Sequence, residues 1–345
     1  MREDRNCQWR IARRPDGNVV RDDFEYLEEA IPAPADGEIL IKNYYMNLAP
    51  VMRFYMGGDS WAGEKPQQIG DIIHGRAVAE VIESKHSDFT AGEFVQGQCG
   101  WQTYKTTTVT EKERFRKIPD LNLSLSVALG SLGMTGFSAY FGLIDCGKPK
   151  AGDIVVVSGA AGGVGSHAIQ IAKLLGCYVI GIAGGEKKCA MILKYGCDQA
   201  IDYKQGNIEQ QIAAACPDGI DVYFDNVGGE TLAACLENLR PNSRIVLCGA
   251  ISEYLRDEPF GLQNYTRLRR TNSTMQGFFI YNHMQDFDRA EKDMTSWLES
   301  GELQPIEHIF DGFDALPDAL ASLYDGSNYG TALCRVRRGP NDAAH

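Results

Sequence analysis

Apolar residues in the first third of the chain come in short runs that alternate with polar ones. Glu38-Ile-Leu-Ile-Lys-Asn follows the turn sequence Pro34-Ala-Asp-Gly, then come Arg76-Ala-Val-Ala-Glu-Val-Ile and Gly92-Glu-Phe-Val-Gln-Gly-Gln-Cys. Runs this short, bounded by Gly, Pro and Asp, predict strands. After Ile118-Pro119 the period changes: Ser126 to Gly142 is small and apolar with helical spacing, and Asp153-Ile-Val-Val-Val-Ser is a β-branched run that ends in glycines. Helix and strand patterns then alternate, with helix at Gly165 to Leu175, Lys187 to Tyr195, Ile208 to Ala215 and Thr231 to Leu239. The strands between and after them are Cys177 to Ile182, Ala200 to Tyr203, Val222 to Asn226 and Arg244 to Gly249. That rhythm is the signature of βαβ units in a doubly wound parallel sheet. Beyond Gly301 the pattern gives one helix, Leu316 to Tyr324, and one strand, Thr331 to Val336, whose connection to the first third is not readable from periodicity.

Length and composition narrow the class. At roughly 150 residues per domain, 345 residues predict about two domains, and 44% hydrophobic with 23% charged residues is the balance of a compact globular chain. The net charge of −12 disfavours nucleic acid and anionic membrane surfaces as partners. Met1 to Arg14 is polar, and no stretch is long and apolar enough to span a bilayer, so a cytoplasmic protein is expected. The ten cysteines are scattered, with no CxxC pair, and read as free thiols.

Chemistry concentrates at Gly159-Ala-Ala-Gly-Gly-Val-Gly-Ser, between a predicted strand and a predicted helix. Gly162 there lets the backbone approach a pyrophosphate, Gly165 lets helix pack on strand, and the helix N-terminus offers unpaired N–H groups to the anion. The first position of the usual GxGxxG is Ala160. At the end of the next strand, where an acidic residue usually meets a ribose diol, stands Ala183-Gly184-Gly185. These small residues leave room for a 2′-phosphate, with Lys188 for charge and Tyr203 for a hydrogen bond, so NADPH is the expected cofactor. The competing reading makes Lys187 and Lys188 a solvated face and Glu186 the diol acceptor. No metal centre can be assembled: His74 is followed by Gly75-Arg76, no Cys lies near Asn43 to Arg53, and histidines 74, 86, 167, 283, 308 and 345 have no paired ligand spacing. They read as surface or turn residues, His167 as a helix residue just past the glycines. Metal-free hydride transfer to an already activated alkene fits such a chain.

The run from Gly159, with Gln170-Ile-Ala-Lys-Leu-Leu-Gly-Cys, Ala183-Gly-Gly-Glu-Lys-Lys, Ile201-Asp-Tyr-Lys, Tyr223-Phe-Asp-Asn-Val-Gly-Gly-Glu and Cys248-Gly-Ala-Ile-Ser-Glu-Tyr, resembles the zinc-independent medium-chain dehydrogenase/reductases. Within them it is similar to the branch of prostaglandin, alkenal and curcumin reductases. The resemblance implies a GroES-like β-rich substrate domain around an inserted Rossmann domain, here 1–128 and 301–345 around 129–300. It also implies NADPH, a homodimer formed through the Rossmann domain, and an active site in the interdomain cleft. The matching motifs make Gly162, Gly163, Val164 and Gly165 the pyrophosphate turn and put Lys188 and Tyr203 at the 2′-phosphate. Asn226, Cys248, Gly249, Ala250, Ile251, Ser252 and Tyr254 then line the cofactor, with Phe278, Phe279, Ile280 and Asn328 toward the nicotinamide.

Two tyrosines expected from the family are replaced, one by Val51 in Ala49-Pro-Val-Met52-Arg and one by Arg270. Tyr254 is the first candidate to protonate or stabilise an enolate; Tyr55, one helical turn after Val51, is the second. For either, the bland alternative is a ring packed beside the cofactor with its hydroxyl on water. Asn47 is a candidate for a substrate carbonyl, Val51 and Met52 for the pocket wall, and Arg270 for a substrate carboxylate, with a surface salt bridge as its alternative. Met46, Met52, Phe54, Tyr55, Met56 and Trp61 form either an apolar pocket or ordinary core. The leading function is reduction of the carbon–carbon double bond of small apolar enones and enals. Quinone reduction, oxidation of allylic or secondary alcohols, and a non-catalytic NADPH sensor remain as alternatives.

Overall fold

The computed structural model describes residues 4–58, 66–119, 123–256, 258–340 and 342, so Trp61 and His345 lie outside the described residues. The chain divides into two compact units, one of residues 1–130, 308–328 and 332–345, the other of 131–307 and 329–331.

The first unit begins with the antiparallel pair β1 (Asn6–Ile11) and β2 (Phe24–Glu29). Then follow β3 (Ile39–Asn47), the short helix α1 (Met52–Gly57), β4 (Arg76–Ser84), β5 (Phe94–Gln98), β6 (Tyr104–Thr107) and β7 (Arg116–Lys117). Its core is aromatic at the centre: Phe24 stacks on Trp101 at 5.6 Å between ring centroids, and the indole N–H of Trp9 donates to the Phe313 carbonyl at 3.0 Å. The latter bond ties the C-terminal return to the first strand. Met46, Met52 and Met56 belong to this core.

The second unit starts with α2 (Met134–Phe141), which widens into a π-helical turn, Gly142–Gly147. The expected helix from Ser126 is interrupted. Leu125–Ala128 forms a 3₁₀ turn and the chain then folds back, so that a Cβ at Gly136 would lie 2.1 Å from the Ser131 carbonyl oxygen. Next come β8 (Ile154–Val157), α3 (Gly163–Leu174), β9 (Tyr178–Ala183), α4 (Glu186–Lys194), β10 (Gln199–Asp202) and α5 (Ile208–Ala215). They are followed by β11 (Ile220–Asp225), α6 (Gly229–Glu237), β12 (Leu239–Leu247), α7 (Arg267–Thr271), β13 (Thr274–Gly277) and α8 (Phe287–Ser300). β14 (Glu307–Asp311), α9 (Leu316–Asp325) and β15 (Thr331–Arg335) complete the chain.

Two sheets result. β14-β15-β3-β4-β5-β7, with β6 also on β3, make the seven-stranded sheet, whose pairings to β3, β4 and β5 are antiparallel. The other is parallel, in the order β10-β9-β8-β11-β12-β13. β8 reads Ile-Val-Val-Val because a central parallel strand is covered on both faces; Val155, Val156 and Val157 are fully buried. Strand order reverses between β8 and β11, and ligands of such sheets bind beyond the carboxyl ends of the strands at that reversal.

Candidate active site

The turn after β8 lies at the reversal. Gly159 takes a left-handed conformation (φ 57°) and accepts the Gly162 N–H at 2.9 Å, and Gly162 caps α3. The glycines differ in what surrounds them. A Cβ at Gly165 would lie 2.2 Å from the Gly159 carbonyl oxygen, whereas one at Gly162 would meet only that oxygen, at 3.3 Å. Gly165 is therefore required for packing, and Gly162 leaves an open face. The N–H groups at the start of α3 have no carbonyl partner within the helix, as at any helix N-terminus.

His167 lies on α3, the helix expected just past the glycines, and is fully buried there; none of the other described histidines is fully exposed. Its Nδ1 lies 2.7 Å from the Gly163 carbonyl oxygen and its Nε2 2.9 Å from the Ser131 hydroxyl. A carbonyl only accepts, so Nδ1 carries the proton and Nε2 accepts from Ser131. Burial lowers the His167 pKa, keeping the ring neutral.

At the end of β9, a Cβ at Gly184 would lie 2.7 Å from the Tyr203 ring and hydroxyl, so this glycine lets the half-exposed Tyr203 lie flat against the turn. Glu186 and Lys187 are exposed and Lys188 is half-buried. The nearby acid is Asp202, which sequence reasoning passed over. Its carboxylate accepts from the N–H groups of Gly185 (2.8 Å) and Lys204 (3.0 Å), which hold its pKa below the usual carboxylate range.

Beyond β11, Asn226 donates from Nδ2 to the Ser158 carbonyl at 2.7 Å and from its N–H to the Ser158 hydroxyl at 2.9 Å. The loop after β12 closes on the same point: Cys248 and Gly249 donate their N–H groups to the Asp225 carbonyl, and Ile251 donates to that of Asn226. Ser252 donates from N–H and hydroxyl to the Val227 carbonyl. Burial pushes the half-buried Cys248 thiol up to about 12, so it is no nucleophile at neutral pH. The phenol oxygen of Tyr254 accepts the Ala250 N–H at 3.3 Å, and burial raises its pKa. Phe278 packs on Gly142, and an open depression of about 430 Å³ is lined by Gln276 to Phe279, Asn282 and His283. Ile280 opens the 3₁₀ segment that follows.

In the first unit, Val51 precedes α1 and Tyr55 lies one turn on; the Tyr55 N–H donates to the Val51 carbonyl at 3.4 Å. The Tyr55 ring lies 4.5 Å from that of His74, whose pKa burial, with help from Arg76, Arg114 and Lys105, lowers to about 4. Asn47 ends β3 opposite Leu333, and Asn328 donates its N–H to the Ser322 carbonyl at 3.4 Å. Met52 is 4% exposed within the core. Arg270 belongs to the second unit, where it is exposed on α7 and helps hold the Glu237 pKa down behind Arg267.

Two family models match, one described as the N-terminal domain of oxidoreductase over residues 7–117 and one as zinc-binding dehydrogenase over residues 163–299. The NADPH-dependent curcumin reductase of Escherichia coli is 36% identical across 97% of this chain and 98% of its own length. Prostaglandin reductase 1 of Bos taurus is 37% identical across 95% and 98%. The crystal structure of CurA in complex with NADPH from Vibrio vulnificus superposes with a TM-score of 0.90 at 37% identity, covering 96% of this chain and all of that one. The chain belongs to the zinc-independent medium-chain dehydrogenase/reductases. In this medium-chain reductase no group of three or more His, Cys, Asp or Glu is placed to hold a metal ion among the described residues, whatever the second family model's description. Sequence reasoning missed Ser158 and Asp225, which join the three strand ends of the crevice, and its only available signal was a polar residue directly after one apolar strand and another at the end of a second.

Proposed function

We propose that this chain is an NADPH-dependent reductase of the carbon–carbon double bond of α,β-unsaturated ketones and aldehydes. The observation that carries it is the open face at Gly162, set beneath the N-terminus of α3 at the strand-order reversal. A diphosphate fits there, held by the first-turn N–H groups of Gly163, Val164 and Gly165. No acid ends β9 to meet a ribose diol, and Asp202 is turned to its backbone donors. Lys188 and Tyr203 are assigned to the 2′-phosphate. Asn226, residues 248–254, Phe278 to Ile280 and Asn328 are assigned to the rest of the cofactor. Relatives named for curcumin and prostaglandin reduction, and a similar fold crystallised with NADPH, support the reading.

When bound, NADPH supplies the hydride for the β-carbon of the conjugated substrate. The chain's task is then to receive charge on the carbonyl oxygen and deliver a proton. Tyr254 suits it, since a phenol whose pKa is raised from 10 stays protonated at neutral pH and can donate to a developing enolate oxygen. Tyr55 is the second candidate; its neighbour His74 is a neutral imidazole at pH 7 and supplies no cation. Asn47, Val51 and Arg270 are assigned to the substrate side, whereas Met52, expected in the pocket wall, is packed into the core of the first unit instead.

The test is NADPH consumption, with NADH in parallel, against enones, enals, quinones and allylic alcohols, with products identified by mass spectrometry. Saturated carbonyl products formed with NADPH are expected. Tight NADPH binding without turnover on any enone or enal would overturn the reading. We also place the protein in the cytoplasm as a homodimer. Ten free cysteines suit a reducing compartment, and β13 is an edge strand to which a second copy can add; a monomeric mass by light scattering would refute the dimer.

A further inference from the structure

The glycine turn does not hold its own shape. Asp225, 1% exposed at the end of β11, directs one carboxylate oxygen, Oδ1, at donors from two strand ends. It accepts the Ser158 hydroxyl at 2.8 Å, the Tyr223 phenol at 2.7 Å, and the N–H groups of Val227 and Gly228 at 3.0 Å each. Ser158 sits between β8 and Gly159, and its hydroxyl also accepts the Asn226 N–H. Through its backbone carbonyl, Asp225 holds the start of the loop that carries Tyr254. One buried residue thus joins three loops, two through its carboxylate and the third through its backbone carbonyl, and a buried carboxylate stays buried only while its donors remain in place.

We propose that Ser158 and Asp225 are a positioning pair that sets the glycine turn for the cofactor's diphosphate, an inference that rests on the cofactor reading above. Neither side chain is asked to touch the cofactor. Ser158 fixes where the turn leaves β8, and Asp225 fixes Ser158 relative to the other two loops. Tyr223 offers an internal control, because its hydroxyl bonds the same Oδ1 atom from within β11 and does not belong to the turn.

The experiment compares Ser158→Ala with Tyr223→Phe in the full chain. NADPH affinity is measured by fluorescence titration, thermal midpoint by calorimetry, and KM against kcat with an enone that the wild type reduces. Both variants delete a buried hydroxyl from one carboxylate oxygen, and Ser158→Ala also leaves the Asn226 N–H without its acceptor, so a purely structural role predicts a larger loss of midpoint in Ser158→Ala and unchanged affinity in both. The positioning role predicts a Kd and KM for NADPH raised about fivefold or more in Ser158→Ala, with kcat at saturation within about twofold. Tyr223→Phe is expected to keep the wild-type Kd. Equal affinities in the two variants would overturn the proposal. Wild-type binding without enone turnover would sink the reductase reading instead, and the Kd comparison would still decide this one.

Discussion

Gly162 and Gly165 stand three residues apart in one turn, and the structure gives them opposite duties. Gly165→Ala puts a methyl 2.2 Å from the Gly159 oxygen, so the turn must open by about 0.8 Å to bring that contact to 3.0 Å. Forcing backbone apart in a packed site costs about 1–3 kcal/mol, which is a fall of several degrees in thermal midpoint. Gly162→Ala meets no such obstacle. Its φ of −83° and ψ of 178° suit any residue, and the added methyl meets only the Gly159 oxygen at 3.3 Å. The roughly 0.4–1 kcal/mol gained by removing a glycine from the unfolded chain is offset by a helix cap that favours Gly over Ala, so stability should change by less than about 1 kcal/mol. The methyl occupies the face where a diphosphate would meet the backbone. Losing a hydrogen bond to a charged group costs about 1.5–3 kcal/mol, or roughly a 10- to 150-fold rise in Kd for NADPH. Calorimetry and fluorescence titration on the two variants therefore separate the roles: stable but weakly binding for Gly162→Ala, destabilised for Gly165→Ala. Wild-type NADPH affinity in Gly162→Ala would refute the location of the diphosphate.

Lys188→Ala should raise the KM for NADPH about 10-fold or more while leaving that for NADH near its wild-type value; parallel kinetics with both nucleotides check it. Tyr254→Phe, which keeps the ring and loses the donor, should lower kcat about 100-fold if this phenol meets the enolate oxygen, against little change for Tyr55→Phe; the reverse result would move the role to the first unit. His74 is neutral in the folded chain with a pKa of about 4 against 6.5 unfolded, so the unfolded state takes up its proton first on acidification. Its contribution is whole above pH 6.5 and is lost as pH falls toward 4, by about 2 kcal/mol between pH 7 and 5. Urea unfolding at both pH values should show that part of the slope in the wild type and not in His74→Gln.

What the sequence makes legible follows from whether a residue's duty is its own or shared with a distant partner. The strands β8, β9 and β11 are readable because burial on both faces demands largely continuous apolar runs, and α5 occupies Ile208–Ala215, where its pattern places it. Glycine is legible for the same reason: the absence of a Cβ is intrinsic, so the turn at 159–165 announces a close approach before any neighbour is known. The helix expected from Ser126 fails where that logic fails, since nothing local shows the chain folding back on Gly136. α8 and β13 lie in a stretch whose pattern gave no element, since β13 is a four-residue edge strand, largely exposed and with a single partner strand. The polar residues of the crevice are the least legible. Ser158 and Asp225 are 67 positions apart, and only the parallel register that sets Phe224 beside Val157 brings the next residue of each strand together. The sequence displays a serine after one strand and an aspartate at the end of another, each of which reads alone as an unremarkable strand end. Pairing β8 with β11, rather than with β9 alone, is what turns them into a device, and strand order is the property a single sequence encodes only through the sum of its packing.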